Sequence, residues 1–365
     1  MSRQKFLFTG LIVYMQITPY NNRPSFKGYD ARHIRALVMT SNKGKIAQEM
    51  KAIGDKSGFK VLLAGVEDLF ESGFENVYER CPYTTAWAQD IASVTPDNKV
   101  YYPWSYDGLG WLLSQTKKIK GVLAQNHIAG GNYYIVKNGS KNDLIIGKTS
   151  MGGIDENVLK SRFCADNIHI IPQMDYHIDL GIRPLINKNV LVCNDDLMIA
   201  SIEAGIEKTK DFKDVNLSLK KILSDFKNAV SQNIYEKPDK VAGMLTDYGY
   251  NPVPVPARIY DVKFKPDAKK AGLVYKMNFA NAVALENSNN ELIYITNKSL
   301  LDRECGITPE IEKKTGFSFE KIFKSSIAPF VEEKNVHFVS GENDVIADYL
   351  TNMDAGIHCL CAEIP

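Results

Sequence analysis

The sequence contains no run approaching the roughly 18 consecutive apolar residues of a membrane-spanning helix, which excludes a helical span and a membrane partner of that kind. Cysteine is scarce, with 6 in 365 residues. That is too few for a disulfide scaffold, and without any C-x-x-C pair the spacing of a zinc site is missing too. A reducing, cytoplasmic setting is the expectation. Neither sign of charge is in excess, since 44 Lys and Arg stand against 43 Asp and Glu for a net +1. No global field therefore draws the chain to nucleic acid or to an anionic membrane surface. At the start, Arg3 and Lys5 precede the short apolar stretch 6–14, which faintly resembles an export signal; a small-x-small cleavage site is lacking, and Thr9 and Gly10 interrupt the stretch. Export is the alternative to a cytoplasmic setting, with residues 1–30 then a peripheral or processed segment.

What is present is ordinary globular composition, 44% hydrophobic and 24% charged, which suits a large buried core. Strand signals are short and recurrent. Residues 34–40, 60–65, 133–136, 144–147, 189–193, 282–285, 292–296 and 337–340 are apolar runs bounded by Gly, Asn, Asp or Lys. Two pairs read as hairpins, 133–136 with 144–147 across KNGSKND and 281–285 with 292–296 across ENSNNE. Helices alternate with them. Residues 45–53 carry Ile46, Met50 and Ile53 on one face up to Gly54, and 217–235 carry Leu219, Ile222, Leu223, Phe226 and Val230 up to Pro238; 344–350 is a shorter candidate. The chain is mixed α/β.

A weak internal repeat outweighs the two or three domains that length alone suggests. A polar residue just ahead of or inside a strand, followed by a turn and a second strand, recurs at Asp90, Asn132, Asp179, Asn281 and Cys359. Five such units of unequal size, closing about one axis, would form a single domain over residues 1–365, because none buries its hydrophobic face alone. Pro252, Pro254 and Pro256 read either as an extended entry to the fourth unit or as a surface loop.

The residues that carry chemistry lie at these anchors. Cys359 follows a Gly turn inside an otherwise apolar strand near the end of the chain, where a lone cysteine is most often inert packing. His177 and Asp179 are two apart and, on a strand, share one face. Trp87, Gln89 and Asp90 are ambiguous alone, and Gly130 and Gly131 ahead of Asn132 permit a close backbone approach or an ordinary turn. Asn278 competes with Asn281 for the fourth anchor; strand lengths favour Asn281.

Taken in order, these segments resemble the guanidino-group-modifying superfamily, the five-bladed pseudo-symmetric α/β propeller or pentein fold. The nearest branch holds agmatine deiminases and Porphyromonas-type peptidylarginine deiminases. That branch carries W-x-R-D, G-G-N, H-I-D, N-x-x-x-x-N and G-G-G-I-H-C segments. Here they stand as Trp87 to Asp90, Gly130 to Asn132, His177 to Asp179, Asn281 to Asn287 with one residue more between the Asn, and Ala355 to Cys359. The resemblance covers about residues 80–365. Gln89 replaces an Arg, Ala355 replaces a Gly, the Glu before G-G-N is missing, and the opening 80 residues lack the W-E-P-H start. These departures touch the substrate more than the chemistry.

The resemblance implies a deiminase with Cys359 as nucleophile, His177 as acid and then base, and Asp90 and Asp179 gripping the guanidinium. Trp87, Gly131, Asn132 and Asn281 would line the substrate site. A guanidinium is planar and always cationic, so carboxylates in its plane suit it, and its poor electrophilic carbon calls for a thiolate. No cofactor or metal is implied. No D-x-[DN]-x-[DN]-G calcium loop occurs, and Asn194, Asp195 and Asp196 read as a solvated turn. His358, next to the nucleophile on a strand, would point to the opposite face and serve structure, whereas Cys361 would share the face of Cys359 and pack. Within 101–111, Trp104 and Tyr106 are candidates for the substrate entrance. Amidinotransfer or methylarginine hydrolysis on the same fold, and a non-catalytic binding protein of that fold, are the rival readings. The partner is a small or peptidyl guanidino compound, and self-association stays open.

Overall fold

Apolar runs that alternate with turn residues become strands wherever the computed structural model describes them. It describes residues 6–8, 11–13, 36–39, 44–64, 77–78, 93–97, 99–103, 120–124, 128–151, 154–265, 270–287, 289–341 and 356–364. Each expected strand forms: Ala36–Met39, Lys60–Ala64, Tyr133–Asn138, Lys141–Gly147, Asn189–Cys193, Val283–Glu286, Leu292–Asn297 and Val336–Val339. Both expected hairpins form as well, with Tyr133 opposite Ile146 and Val283 opposite Ile295.

Five sheets share one pattern, in which the first strand is antiparallel to the second and the second parallel to the third. They are Ser93–Val94, Lys99–Pro103 and Lys120–Ala124; Tyr133–Asn138, Lys141–Gly147 and Asn167–Ile171; Ile182–Pro184, Asn189–Cys193 and Asn251–Val255; and Val283–Glu286, Leu292–Asn297 and Val336–Val339. The fifth joins the two ends of the chain, as Cys361–Ile364, Ala36–Met39 and Lys60–Ala64, with Val77–Tyr78 added at its edge. Parallel pairing needs a crossover, and among the described residues helices supply it in the second, third, fourth and fifth sheets. All are open sheets. A separate hairpin, Arg258–Lys265 with Lys270–Asn278, precedes the fourth sheet.

Several local expectations are corrected. The helix expected to stop at Gly54 runs over Gly44–Ser57. Gly54 stays helical because the returning chain packs on it: a β-carbon there would lie 2.7 Å from the Phe59 carbonyl oxygen. Gly58, at φ +84°, makes the left-handed stop instead. The second helix spans Lys213–Gln232, and Pro238 does not end it but opens the next helix, Pro238–Asp247, at a position where its missing N–H costs nothing. Pro252 and Pro254 belong to the third sheet, on the edge strand Asn251–Val255, where ladder donors are not all required. Asn194 to Asp196 are no solvated turn. Asn194 caps the helix Asp195–Lys208 by accepting from Leu197 N at 2.8 Å, and Asp195 is buried in an ion pair.

The largest core cluster joins the second, third and fourth sheets to the Lys213–Gln232 and Phe319–Ile327 helices through residues such as Leu219, Phe226, Tyr260, Tyr294 and Phe323. A second cluster packs Ile357, Leu360 and Cys361 against Leu37, Met39, Val283 and Ile295. Each fully buried Leu or Ile contributes about 1.5–3 kcal/mol, so this cluster holds the C-terminal turn against the fourth sheet. No described helix is long and apolar enough to cross a membrane.

Candidate active site

The four described anchors each stand where a sheet begins. Asn132 ends the turn Gly130–Asn132 ahead of Tyr133, Asp179 lies in the turn Ile178–Leu180 ahead of Ile182, Asn281 precedes Val283, and Cys359 precedes Cys361. The strand alternation expected for His177 and Asp179 does not apply, because these residues lie in a bend and a 3₁₀ turn. Nor is Cys359 inside a strand: residues 357–360 form a turn, closed by Leu360 N donating to Ile357 O at 3.2 Å and Cys361 N to His358 O at 3.1 Å.

Asp179 is fully buried at the centre of the constellation. Its Oδ2 accepts from Asn281 Nδ2 at 2.9 Å and from Cys359 Sγ at 3.5 Å, and it lies 2.9 Å from His358 Nδ1. Its Oδ1 has no hydrogen-bond partner among the described residues. A buried acceptor left bare costs about 1–3 kcal/mol, more when it is charged, so this oxygen is set for a donor that the described residues do not supply.

Asn281 ties three parts together. Besides Asp179, its Nδ2 reaches Cys359 Sγ at 3.3 Å, and its Oδ1 accepts from His358 N at 3.1 Å. Asn278 stands behind it: its Oδ1 accepts from Ala280 N at 3.0 Å and Asn281 N at 3.2 Å, while its Nδ2 donates to Leu180 O at 3.0 Å. The geometry thus places Asn281 at the thiol and Asn278 as its prop. Asn297, absent from the sequence reading, donates to Asn278 O at 2.7 Å and accepts from Ile357 N at 2.8 Å. A β-carbon on Gly356 would sit 2.4 Å from Asn297 Nδ2, so only glycine lets the turn close here.

Gly131 makes the close approach its sequence context allowed. A β-carbon there would lie 2.4 Å from His177 Nδ1 and 2.9 Å from Asp179 Oδ1, which puts His177 beside the bare oxygen. Asn132 is buried but reaches the constellation indirectly, accepting from Gln173 Nε2 at 2.8 Å. Gln173 also donates to Tyr176 O and accepts from Thr149 N at 2.9 Å, clamping the loop that bears His177. Sequence reasoning missed Gln173, since a glutamine in the loop after the strand Asn167–Ile171 carries no local signal.

His358 is the main correction. Its side chain does not point away but meets Asp179, because a turn, not an alternating strand, carries it. Cys361 is fully buried in the apolar cluster, and neither it nor Cys359 is joined in a disulfide. Trp87, Gln89, Asp90, Trp104, Tyr106 and the 344–350 segment lie outside the described residues.

Beneath the His177 loop is a buried ion pair. Arg258 Nε and Nη2 donate to Asp195 Oδ1 and Oδ2 at 2.9 and 3.0 Å, Tyr260 OH donates to Oδ2 at 2.9 Å, and Arg258 Nη1 donates to Met174 O at 3.4 Å. Burial works against the guanidinium, but the adjacent Asp195 carboxylate more than offsets it and holds Arg258 charged. Asp175 accepts from Tyr275 OH and from Tyr176 N, the latter at 2.6 Å, which fixes the same loop from another side.

No protein-family model and no curated protein matches the sequence. Solved structures match in fold. Agmatine deiminase from C. jejuni, including a Cys-to-Ser variant with substrate bound, superposes with a TM-score of 0.54 at 15% identity, covering 94% of this chain and 98% of that one. A structure provisionally named a peptidyl-arginine deiminase gives a TM-score of 0.53 at 13% identity, covering 93% and 99%. The chain has an α/β fold of open sheets related to these structures.

Proposed function

We propose that the chain is a deiminase that hydrolyses a guanidino group to a ureido product and ammonia through a covalent amidino-cysteine. The observation that carries this reading is the lopsided Asp179 carboxylate, with three protein donors about Oδ2 and none at Oδ1 among the described residues, beside the Cys359 thiol and an imidazole. A guanidinium N–H fits the bare oxygen, since a planar cation supplies the missing charge-assisted hydrogen bond. The recurrence of one strand pattern in five sheets supports a five-bladed propeller over residues 1–365 as the scaffold. Asp90, just ahead of the first of these sheets in the chain, is the second carboxylate of the reading.

In the proposed route the Cys359 thiolate attacks the guanidinium carbon and forms a C–S bond. His177 gives a proton to the departing nitrogen, which leaves as ammonia, and the amidino group stays on sulfur. His177 then takes a proton from water, whose oxygen adds to the same carbon; the C–S bond breaks and the ureido product departs with the thiolate restored. Asn281, within 3.3 Å of the sulfur, steadies both thiolate and carboxylate.

Agmatine, arginine, a blocked arginyl peptide and dimethylarginine should be incubated with the protein, with and without an amine acceptor, and ammonia and ureido product measured. Release of both from agmatine, arginine or the peptide, abolished in Cys359→Ala and retained in Cys361→Ala, is the expected result; ureido product from dimethylarginine alone, with no ammonia, would make the chain a methylarginine hydrolase. Transfer to the amine would make the chain an amidinotransferase, and turnover by Cys359→Ala would overturn the nucleophile assignment.

A further inference from the structure

We infer that the two histidines of the site have separate duties: His177 moves protons, while His358 is a positioning residue that holds Asp179 with Oδ1 toward the substrate. The inference rests on the deiminase reading and adds to it a role for a residue outside the proposed proton route.

His358 is 1% exposed and held from every side that the structure records. Its backbone N–H donates to Asn281 Oδ1 at 3.1 Å, and its carbonyl accepts from Cys361 N at 3.1 Å. Its ring stacks on Tyr134 with centroids 5.5 Å apart and planes 26° apart. Tyr134 is itself anchored, its hydroxyl donating to Ile182 O at 3.1 Å and its ring carrying the Arg183 guanidinium carbon at 5.2 Å. An ionised carboxylate only accepts, so the 2.9 Å contact requires the hydrogen on His358 Nδ1. This contact and the stacking on Tyr134 fix both the tautomer and the orientation of the ring.

What this ring supplies is direction. A carboxylate rotates about its last torsion with little resistance, and rotation of Asp179 would exchange the bare and the loaded oxygen. Asn281 alone leaves room for that exchange, because its amide also serves Cys359. The His358 donor, held in a fixed orientation on Oδ2, makes the observed arrangement the favoured one. His177 differs in exposure and position: it is half-buried, beside the bare oxygen, with Gly131 on one side and the Tyr176 ring tilted against it at 4.3 Å.

The discriminating variants are His358→Leu, which removes the donor, and His358→Asn, whose Nδ2 is bonded to the same carbon of the side chain as the Nδ1 it replaces. Two readouts apply to each: kcat/KM on the guanidino substrate, and the rate of Cys359 alkylation by iodoacetamide, followed by mass spectrometry of the Cys359 peptide. His358→Leu should lose at least about a hundredfold in kcat/KM. It should also alkylate roughly threefold more slowly, because an under-donated carboxylate makes the neighbouring thiolate harder to form. His358→Asn should stay within about tenfold of the wild type in turnover and match its alkylation rate, with circular dichroism unchanged. A folded His358→Asn as inactive as the leucine variant would show that the imidazole itself is needed and would overturn the inference, as would near-normal turnover by His358→Leu. Should the leucine variant not fold, the asparagine variant decides alone. Were the wild type to turn over no guanidino compound, the deiminase reading would fail, and equal alkylation rates in all three proteins would separately sink the positioning role.

Discussion

Gly131 and His177 are in such close contact that a β-carbon on the glycine would lie 2.4 Å from the imidazole Nδ1. The backbone of one sheet's leading turn therefore forms the wall behind the histidine of the next. Gly131→Ala must displace His177 or the turn, at about 1–3 kcal/mol for overpacking. A modest fall in the urea midpoint with a loss of at least about a hundredfold in kcat/KM is expected. Unchanged turnover would show that His177 can work from another rotamer.

Asp179→Asn keeps shape and removes charge, and the geometry leaves the amide no good orientation. With its NH₂ at the Oδ2 position it faces Asn281 Nδ2 and His358 Nδ1, two donors. With its NH₂ at the Oδ1 position it meets the substrate cation. Either way kcat/KM should drop at least about a hundredfold, near 2.7 kcal/mol, while circular dichroism reports a retained fold. Near wild-type efficiency would remove Asp179 from substrate recognition.

Arg258→Leu strands Asp195, which is 6% exposed, without its cation. The cost should be about 3–5 kcal/mol in equilibrium unfolding. The double variant Arg258→Leu with Asp195→Leu should recover part of that loss, because the penalty lies in the unpaired charge and the two sites are coupled. A double variant as unstable as the sum of the singles would contradict this account.

Glu286 is 1% exposed, and burial raises its carboxyl from 4.5 to about 7. The folded state thus keeps a proton that the unfolded chain releases, so stability falls as pH rises from 4.5 to about 7. Asp302, raised by burial to about 7, adds a decline of the same sign, so the test is a difference between proteins. Between about pH 5 and pH 8, the wild type should lose of order 1–3 kcal/mol more than Glu286→Gln. Parallel urea midpoints for the two proteins across that interval would place the carboxyl in water.

The strands and hairpins were legible because an apolar run bounded by turn residues has few folded alternatives over a handful of residues. The linear order of Gly131, His177, Asp179, Asn281 and Cys359 was legible for a related reason, since each is a residue type with restricted use set ahead of a strand. Helix ends were less so. Gly54 and Pro238 carry breaker signals, but contact with Phe59 and the N-terminal position of Pro238 decided what those signals meant.

Side-chain direction was not written in the sequence at the points that matter most. The alternation rule sends His358 away from Cys359 only if residues 357–360 are a strand, and the chain turns there because Gly356 admits Asn297 and Asn281 at distances no other residue would allow. Asn297, Gln173 and the Arg258–Asp195 pair act across separations that no local pattern encodes, as the sequence separation of 63 between Asp195 and Arg258 illustrates. Local propensity set the elements, and the long-range packing of buried polar groups, each of which must find a partner once water is excluded, chose which side chains met Asp179 and which of its oxygens was left for something else.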